Sequence, residues 1–144
     1  MQAVIDTNVL ISGLLWHSTP HALLEQVRNG TVTQISSPAL LAELARVIDR
    51  PKFDVIFLRT NTSRAQALAE VRQLAEVIDR PPLAQPVCRD KDDDVVLALA
   101  LALALAAQAD MVISGDDDLL CLHPFEEIPV LTPAQALQRV LESL

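Results

Sequence analysis

The chain has 144 residues, a hydrophobic content of 51% and a net charge of −8. That length and apolar fraction fit one domain, residues 1–144, with a sizeable core, and with 3% aromatics and no Tyr the core must be aliphatic. The acidic balance excludes a broad basic nucleic-acid-binding surface, but not an acidic pocket that takes up cations.

"MQAVIDTNVL" lacks the basic-then-apolar order of a signal peptide, so a cytoplasmic protein is expected. Cys88 and Cys121 have no metal-ligand spacing and read as free thiols. "AVI" (3–5) is a buried strand of a parallel sheet ending at Asp6. "NVLISGLL" continues apolar and Gly13 is expected to break it. Ser12 near Asp6 suits a phosphate contact or a helix start equally. "STPHALLEQVRNG" is a helix with a Ser/Thr-Pro start and a Gly stop. "TVTQIS" (31–36) is a second strand. The next helix has Ser37 as cap, Pro38 first, and one apolar face from Leu40 to Ile48. "PKFDVIFL" is a short helix, and 61–79 a long amphipathic one with a Thr or Ser cap. Residues 80–87 hold three prolines and form a loop.

From Val95 to Ala107 thirteen apolar residues run without a break, and Gln108 ends them. A membrane span needs about 20. The Leu/Ala alternation imitates a strand, but Ala and Leu are strong helix formers and the length favours a helix. Leu97, Leu101 and Leu105 then share one face while Leu99 and Leu103 lie opposite, so a helix buried on both sides is expected. Strands follow at "MVIS" (111–114) and "IPVL" (128–131), then a closing helix capped by Thr132 and started by Pro133.

Strands alternating with helices imply a parallel sheet covered on both faces, with its site at the carboxyl ends of the strands. Asp6 ends the first strand, and Asp116, Asp117 and Asp118 follow "MVIS". The central helix is the crossover between acidic clusters, and its start, Asp93 and Asp94, returns to the same edge. Gathered carboxylates repel one another unless a cation holds them, and oxygen ligands suit Mg²⁺ or Mn²⁺. Such ions activate water against a phosphodiester. The candidates are Asp6, Glu43, Asp93, Asp94 and Asp116. Glu43 sits on the rim of its helix's apolar face, where a solvated surface role competes. Arg46, Arg50 and Lys52, followed by Arg59 and Arg64, are the candidates for positioning phosphates; a solvated helix face is the alternative.

"VIDTNVLIS", a helical acid some 35 residues on, "RDKDDDVVLALA", "ADMVISGDDDLL" and "PVLTPAQAL", in that order, together resemble the PIN domain family. The similarity covers nearly the whole chain and is greatest to the branch made up of toxins of toxin–antitoxin modules. It implies a three-layer α/β/α sandwich with a Rossmann-like parallel sheet, and a Mg²⁺- or Mn²⁺-dependent ribonuclease leaving 5′-phosphate and 3′-hydroxyl ends. It places the family's first aspartate at Asp6 with Asn8 beside it, and its helical acid at Glu43. Its D-x-x-D falls on Asp90 and Asp93, with Asp94 adjacent, and its (T/S)-G-D on Ser114, Gly115 and Asp116. Asp6, Asp93 or Asp94, and Asp116 would be the metal ligands. Asn8, Ser114 and Asp118 would hold them by hydrogen bonds. Ser114 stands where Thr is usual, and the Leu/Ala helix is longer than the family's by about one turn, which advances the helical phase by about 40°. The resemblance also implies an RNA substrate, an antitoxin partner and a homodimer, the docking surfaces being the outer halves of "LLEQV" or "VIFL".

Other readings fail on particular residues. A Ca²⁺ loop starting at Asp90 would need Gly at Val95 and Glu at Leu101. A D-x-D phosphatase would need Asp at Asn8, and a phosphoacceptor domain a Lys after a late strand. Asp117 and Asp118 suit a turn and cap as well as a site. His17, His21 and His123 are scattered, and Trp16 packs at a loop or interface. A catalytically silent binding module of the same fold is the alternative of a different kind; such a module would have lost acidic positions that are all filled here.

Overall fold

The structure is a computed structural model that describes residues 1–16, 18–78, 100–116, 120–121 and 123–144. The chain runs β1 (Gln2–Ile5), α1 (Thr7–Leu15), α2 (Thr19–Arg28), β2 (Thr33–Ser36) and α3 (Pro38–Ile48). A 3₁₀ turn (Pro51–Phe53) leads into α4 (Asp54–Thr60), then α5 (Arg64–Leu74) and β3 (Ala75–Val77). Residues 100–107 are helical and form α6. β4 (Met111–Ile113), β5 (Val130–Leu131) and α7 (Pro133–Glu142) follow.

The five strands form one sheet in the order β3-β2-β1-β4-β5, all pairs parallel. Side chains alternate across it, as a pleated strand requires. Ala3, Ile5, Met111 and Ile113 face a large cluster that contains Leu10, Leu23, Leu44, Phe57, Val71 and Val140, from α1, α2, α3, α4, α5 and α7. Val4, Ile35, Val112 and Val130 face a second cluster with Leu101, Leu103 and Ala104 of α6. This is the expected three-layer α/β/α architecture with a parallel sheet.

The marked helix ends hold. Ser37 Oγ accepts from the Leu40 N–H at 3.2 Å, and Ser63–Gln66 and Thr132–Gln135 form reciprocal capping boxes. Gln108, at φ 52°, closes α6 in the left-handed region. Arg28 of α2 donates to Glu70 of α5 at 2.6 Å and to Glu25. Burial alone would lower the Arg28 pKa, but these hydrogen bonds outweigh it and raise it.

Four expectations need correction. Gly13 does not break α1, which runs through it to Leu15. A Cβ at Gly13 would come within 2.7 Å of Leu24 Cδ1 and 2.8 Å of the Pro20 carbonyl, so the glycine lets α2 lie against α1. The amphipathic helix over 61–79 stops at Leu74, and Ala75–Val77 turn into a strand that pairs with β2. In α6, Ala100, Leu101, Leu103 and Ala104 are buried, while Leu105 and Ala106 are exposed. At 100° per residue the buried positions span an arc of about 160°, so this part of the helix has one wide buried face rather than two. Leu97 and Leu99 lie outside the described residues. Among the described residues no helix is long and apolar enough to cross a membrane. Finally, Leu23, Leu24 and Val27 of "LLEQV" are core residues, so the outer half of that segment presents the exposed Glu25 rather than the apolar surface expected.

Candidate metal and nuclease site

β1 and β4 are central neighbours, and their parallel pairing ends at Ile5 opposite Ile113. The next residue on each strand therefore emerges at the same edge. The Asp6 N–H donates to the Ile113 carbonyl at 2.9 Å, and the Ser114 N–H to the Leu131 carbonyl at 2.9 Å, so both backbones are held by the sheet itself. Ser114 is fully buried and Asp6 is 7% exposed. Ser114 Oγ donates to Asp6 Oδ2 at 2.9 Å and accepts from the Asp116 N–H at 2.9 Å. One hydroxyl thus ties the acid after β1 to the acid after β4. A carboxylate as buried as Asp6 requires such partners.

A cleft of about 470 Å³ opens beside this pair, with Asn8, Ser12, Pro20, Gly115, Asp116 and Pro133 in its wall. Asn8 and Ser12 are four residues apart on α1 and share one face. Pro20 and Pro133 belong to the first turns of α2 and α7.

The structure brings together Asp6, Asn8, Ser114 and Asp116 of the expected site. Asp90, Asp93, Asp94, Asp117 and Asp118 lie outside the described residues. Glu43, on α3, is partly buried and ion-paired with Arg46, whose Nε donates to Glu43 Oε2 at 3.1 Å. Among the described residues no three His, Cys, Asp or Glu side chains stand close enough to hold one ion, so Asp6, Glu43 and Asp116 do not form such a triad by themselves.

The basic candidates separate. Arg46 is committed to Glu43, and Lys52 lies over the Phe53 ring with Nζ 5.1 Å from its centre. Arg50 is exposed after α3. Arg64 is structural: it donates to the Ile48 and Arg50 carbonyls at 2.8 and 3.2 Å, pairs with Asp54 at 2.6 Å and covers Phe57. It satisfies carbonyls at the α3 end and is removed from the phosphate contacts. His123 Nδ1 accepts from the Val130 N–H at 2.9 Å, and His21 Nδ1 sits 3.1 Å from the Gly13 carbonyl; both roles are local. Trp16 is 45% exposed at the end of α1, and Cys121 is a free, exposed thiol. His17 and Cys88 lie outside the described residues.

Sequence reasoning missed Pro20, Gly115 and Pro133 as cleft walls. The two prolines were legible only as helix starts; what aims those helix starts at Asp116 is the tertiary fold. The donors assembled at the edge are all oxygen, and hard oxygen donors suit Mg²⁺ or Mn²⁺ rather than a metal that prefers sulfur. Asp6 and Asp116 fit such an ion as part of a larger ligand set.

A parallel α/β sheet with paired acids at the carboxyl ends of its central strands defines a nuclease-like class. The PIN domain family model matches residues 2–118, four fifths of the chain, and the protein belongs to that family. PIN domains are generally nucleases that bind RNA and typically use divalent metal ions. None of the curated proteins compared with the chain matches it. β5, α7 and the Pro133 wall lie beyond the matched segment.

Proposed function

We propose that the protein is a Mg²⁺- or Mn²⁺-dependent endoribonuclease, one cytoplasmic domain over residues 1–144, acting as the toxin of a toxin–antitoxin pair. The observation that carries this reading is the Ser114 hydroxyl joining Asp6 to the Asp116 backbone beside an open cleft. Asp6, Asp116 and one of Asp93 and Asp94 would hold the ion. When bound, it would supply charge neutralisation and an activated water for hydrolysis of a phosphodiester. Ser114 orients the Asp6 carboxylate, and Asn8 and Asp118 do the same for the remaining ligands. Glu43 orients the attacking water once Arg46 releases it. Arg46, Arg50 and Lys52 then supply the local positive charge that a protein of net charge −8 needs to hold RNA. The products carry 5′-phosphate and 3′-hydroxyl ends.

A partner-regulated binding module is the second reading. Val55 and Leu58 of α4 support it, being 57% and 83% exposed. They are where an antitoxin, or a second copy in a homodimer, would sit. Purified protein incubated with structured and single-stranded RNA in Mg²⁺, Mn²⁺ or EDTA, beside Asp6→Asn, separates the two. Metal-dependent cleavage lost in Asp6→Asn is expected. Equal traces from both proteins would mark a contaminant. Absence of cleavage, with no rise in melting temperature on adding Mn²⁺, would favour the binding module.

A further inference from the structure

β5 is an outer strand of the sheet, only two residues long, and a histidine closes its free side. Pro129 and Leu131 turn their carbonyls toward β4, where they accept from the Val112 and Ser114 N–H groups, each at 2.9 Å. Backbone groups alternate in direction along a strand, so the Val130 N–H points away from β4. Val130 is 2% exposed, and an N–H buried there needs an acceptor. His123 Nδ1 supplies it at 2.9 Å, from seven residues earlier in the chain. A backbone N–H can only donate, so Nδ1 keeps its lone pair and the ring proton sits on Nε2. The contact therefore exists only with a neutral imidazole.

The loop between these two residues is strained at its tip. Phe125 and Ile128 exchange backbone hydrogen bonds at 2.9 and 2.8 Å, and both pack in the α6 cluster. Between them Glu126 and Glu127 lie at φ 48° and 71°, the left-handed region that tight hairpin turns require and that residues other than glycine seldom occupy. Such strain persists only where the surroundings hold it. Here the base of the loop is held by the His123–Val130 bond, and imidazole is the side chain whose charge ordinarily changes between about pH 5 and pH 8. The titratable groups around it are Cys121, Glu126 and Glu127 of its own loop, Asp110 and Asp116 at the two ends of β4, and Arg139 and Glu142 of α7 beside Leu131. The α6 residues 100–107 carry no charge, and His123 makes no ion pair among the described residues.

We propose that His123 is an acid-sensitive latch on β5. Neutral, it closes the outer edge of the sheet and keeps β5 against β4, so that Ser114 stays in place to join Asp6 to Asp116. A proton taken from solvent at Nδ1 removes the acceptor of the Val130 N–H and releases that edge. The latch itself is independent of the nuclease reading; only its effect on cation binding rests on it. Amide hydrogen exchange of the full chain without metal, followed by nuclear magnetic resonance at about pH 7.5 and about pH 5.5, brackets the imidazole range. Rates are corrected for the intrinsic effect of pH and expressed as protection factors. In wild type, acid is expected to lower the protection of Val130 and Ser114 by about 3- to 10-fold, the worth of one neutral hydrogen bond. The Ile78 N–H, bonded to the Ser36 carbonyl at 2.8 Å beside the opposite outer strand, should not change. His123→Asn places Oδ1 where Nδ1 stood and takes up no proton, so it should keep both amides protected at both pH values. His123→Ala should leave both weakly protected at both. His17 and His21 titrate in all three proteins, so the difference belongs to His123. Wild-type protection indifferent to pH, an Asn variant that follows wild type, or loss at Val130 without loss at Ser114 overturns the latch. Titration of Mn²⁺ at the same pH values separates the two readings. No Mn²⁺ binding, with the amide pattern as expected, leaves the latch and removes the metal-dependent nuclease. Mn²⁺ bound by wild type, with amides that ignore pH, removes the latch and leaves the metal site.

Discussion

The proposed function gives two acids, Asp6 and Glu43, a part in catalysis, yet they are held in opposite ways. Asp6 is buried at the end of a central strand, its backbone bonded to β4 and its carboxylate to the buried Ser114. Glu43 stands on a helix, paired with an Arg46 that is 60% exposed on its side chain. The first is fixed by the sheet before any ligand arrives. The second is held by a pair that solvent screens, worth no more than about 1 kcal/mol, and can change partner cheaply. Under the proposed function Asp6 would be a preorganised ligand and Glu43 an adjustable helper.

Substitutions can break this contrast in order of size. Asp6→Asn removes the fixed acid, and RNA cleavage should fall by more than the 10–100-fold typical of losing a group behind a ligand; residual cleavage within a few-fold of wild type in a gel assay would contradict the assignment. Glu43→Gln should lower kcat by about 100-fold and leave KM nearly unchanged, as expected for a group that orients water, and steady-state kinetics reads the split. Ser114→Ala should cost about 10–100-fold in activity or Mn²⁺ affinity. It should also destabilise the fold by about 1–3 kcal/mol in a denaturant titration, because the Asp6 carboxylate and the Asp116 N–H both lose a partner. Ser114→Thr keeps the hydroxyl and should retain most of the activity. Arg46→Ala is the smallest effect, under about 1 kcal/mol in stability. Its activity at low salt should fall through a raised KM, a difference that vanishes as salt is added.

The sequence made legible whatever local chemistry decides. Ser37, Thr132 and Pro133 carry their caps and helix starts in their side chains, and the structure has them there. The alternation of strands and helices was enough for a covered parallel sheet and for the edge at which Asp6 and Asp116 emerge. β3 was hidden because Val71, Leu74, Val77 and Ile78 keep helical spacing and Ala75 and Glu76 are good helix formers. Its strand exists through pairing with Gln34, Ile35 and Ser36, a distant partner that overrides propensity. Gly13 misled for the same kind of reason: the cost of a helical glycine was visible, but the approach of Leu24 and Pro20 that requires it was not. Arg64 looked like one more surface cation because its partners, two carbonyls and the Phe57 ring, meet it only in three dimensions. The two-sided burial expected of the Leu/Ala run followed from composition, which does not say where a helix meets solvent.

The central claim is that Asp6, fixed through Ser114 and Asp116, is a ligand for a divalent cation. Titration of Mn²⁺ into wild type and Asp6→Asn, followed by loss of the free-ion electron paramagnetic resonance signal, tests it most directly. The account predicts saturable binding by the wild type and its loss in Asp6→Asn, with both proteins folded by circular dichroism. Equal binding by the two folded proteins would contradict it.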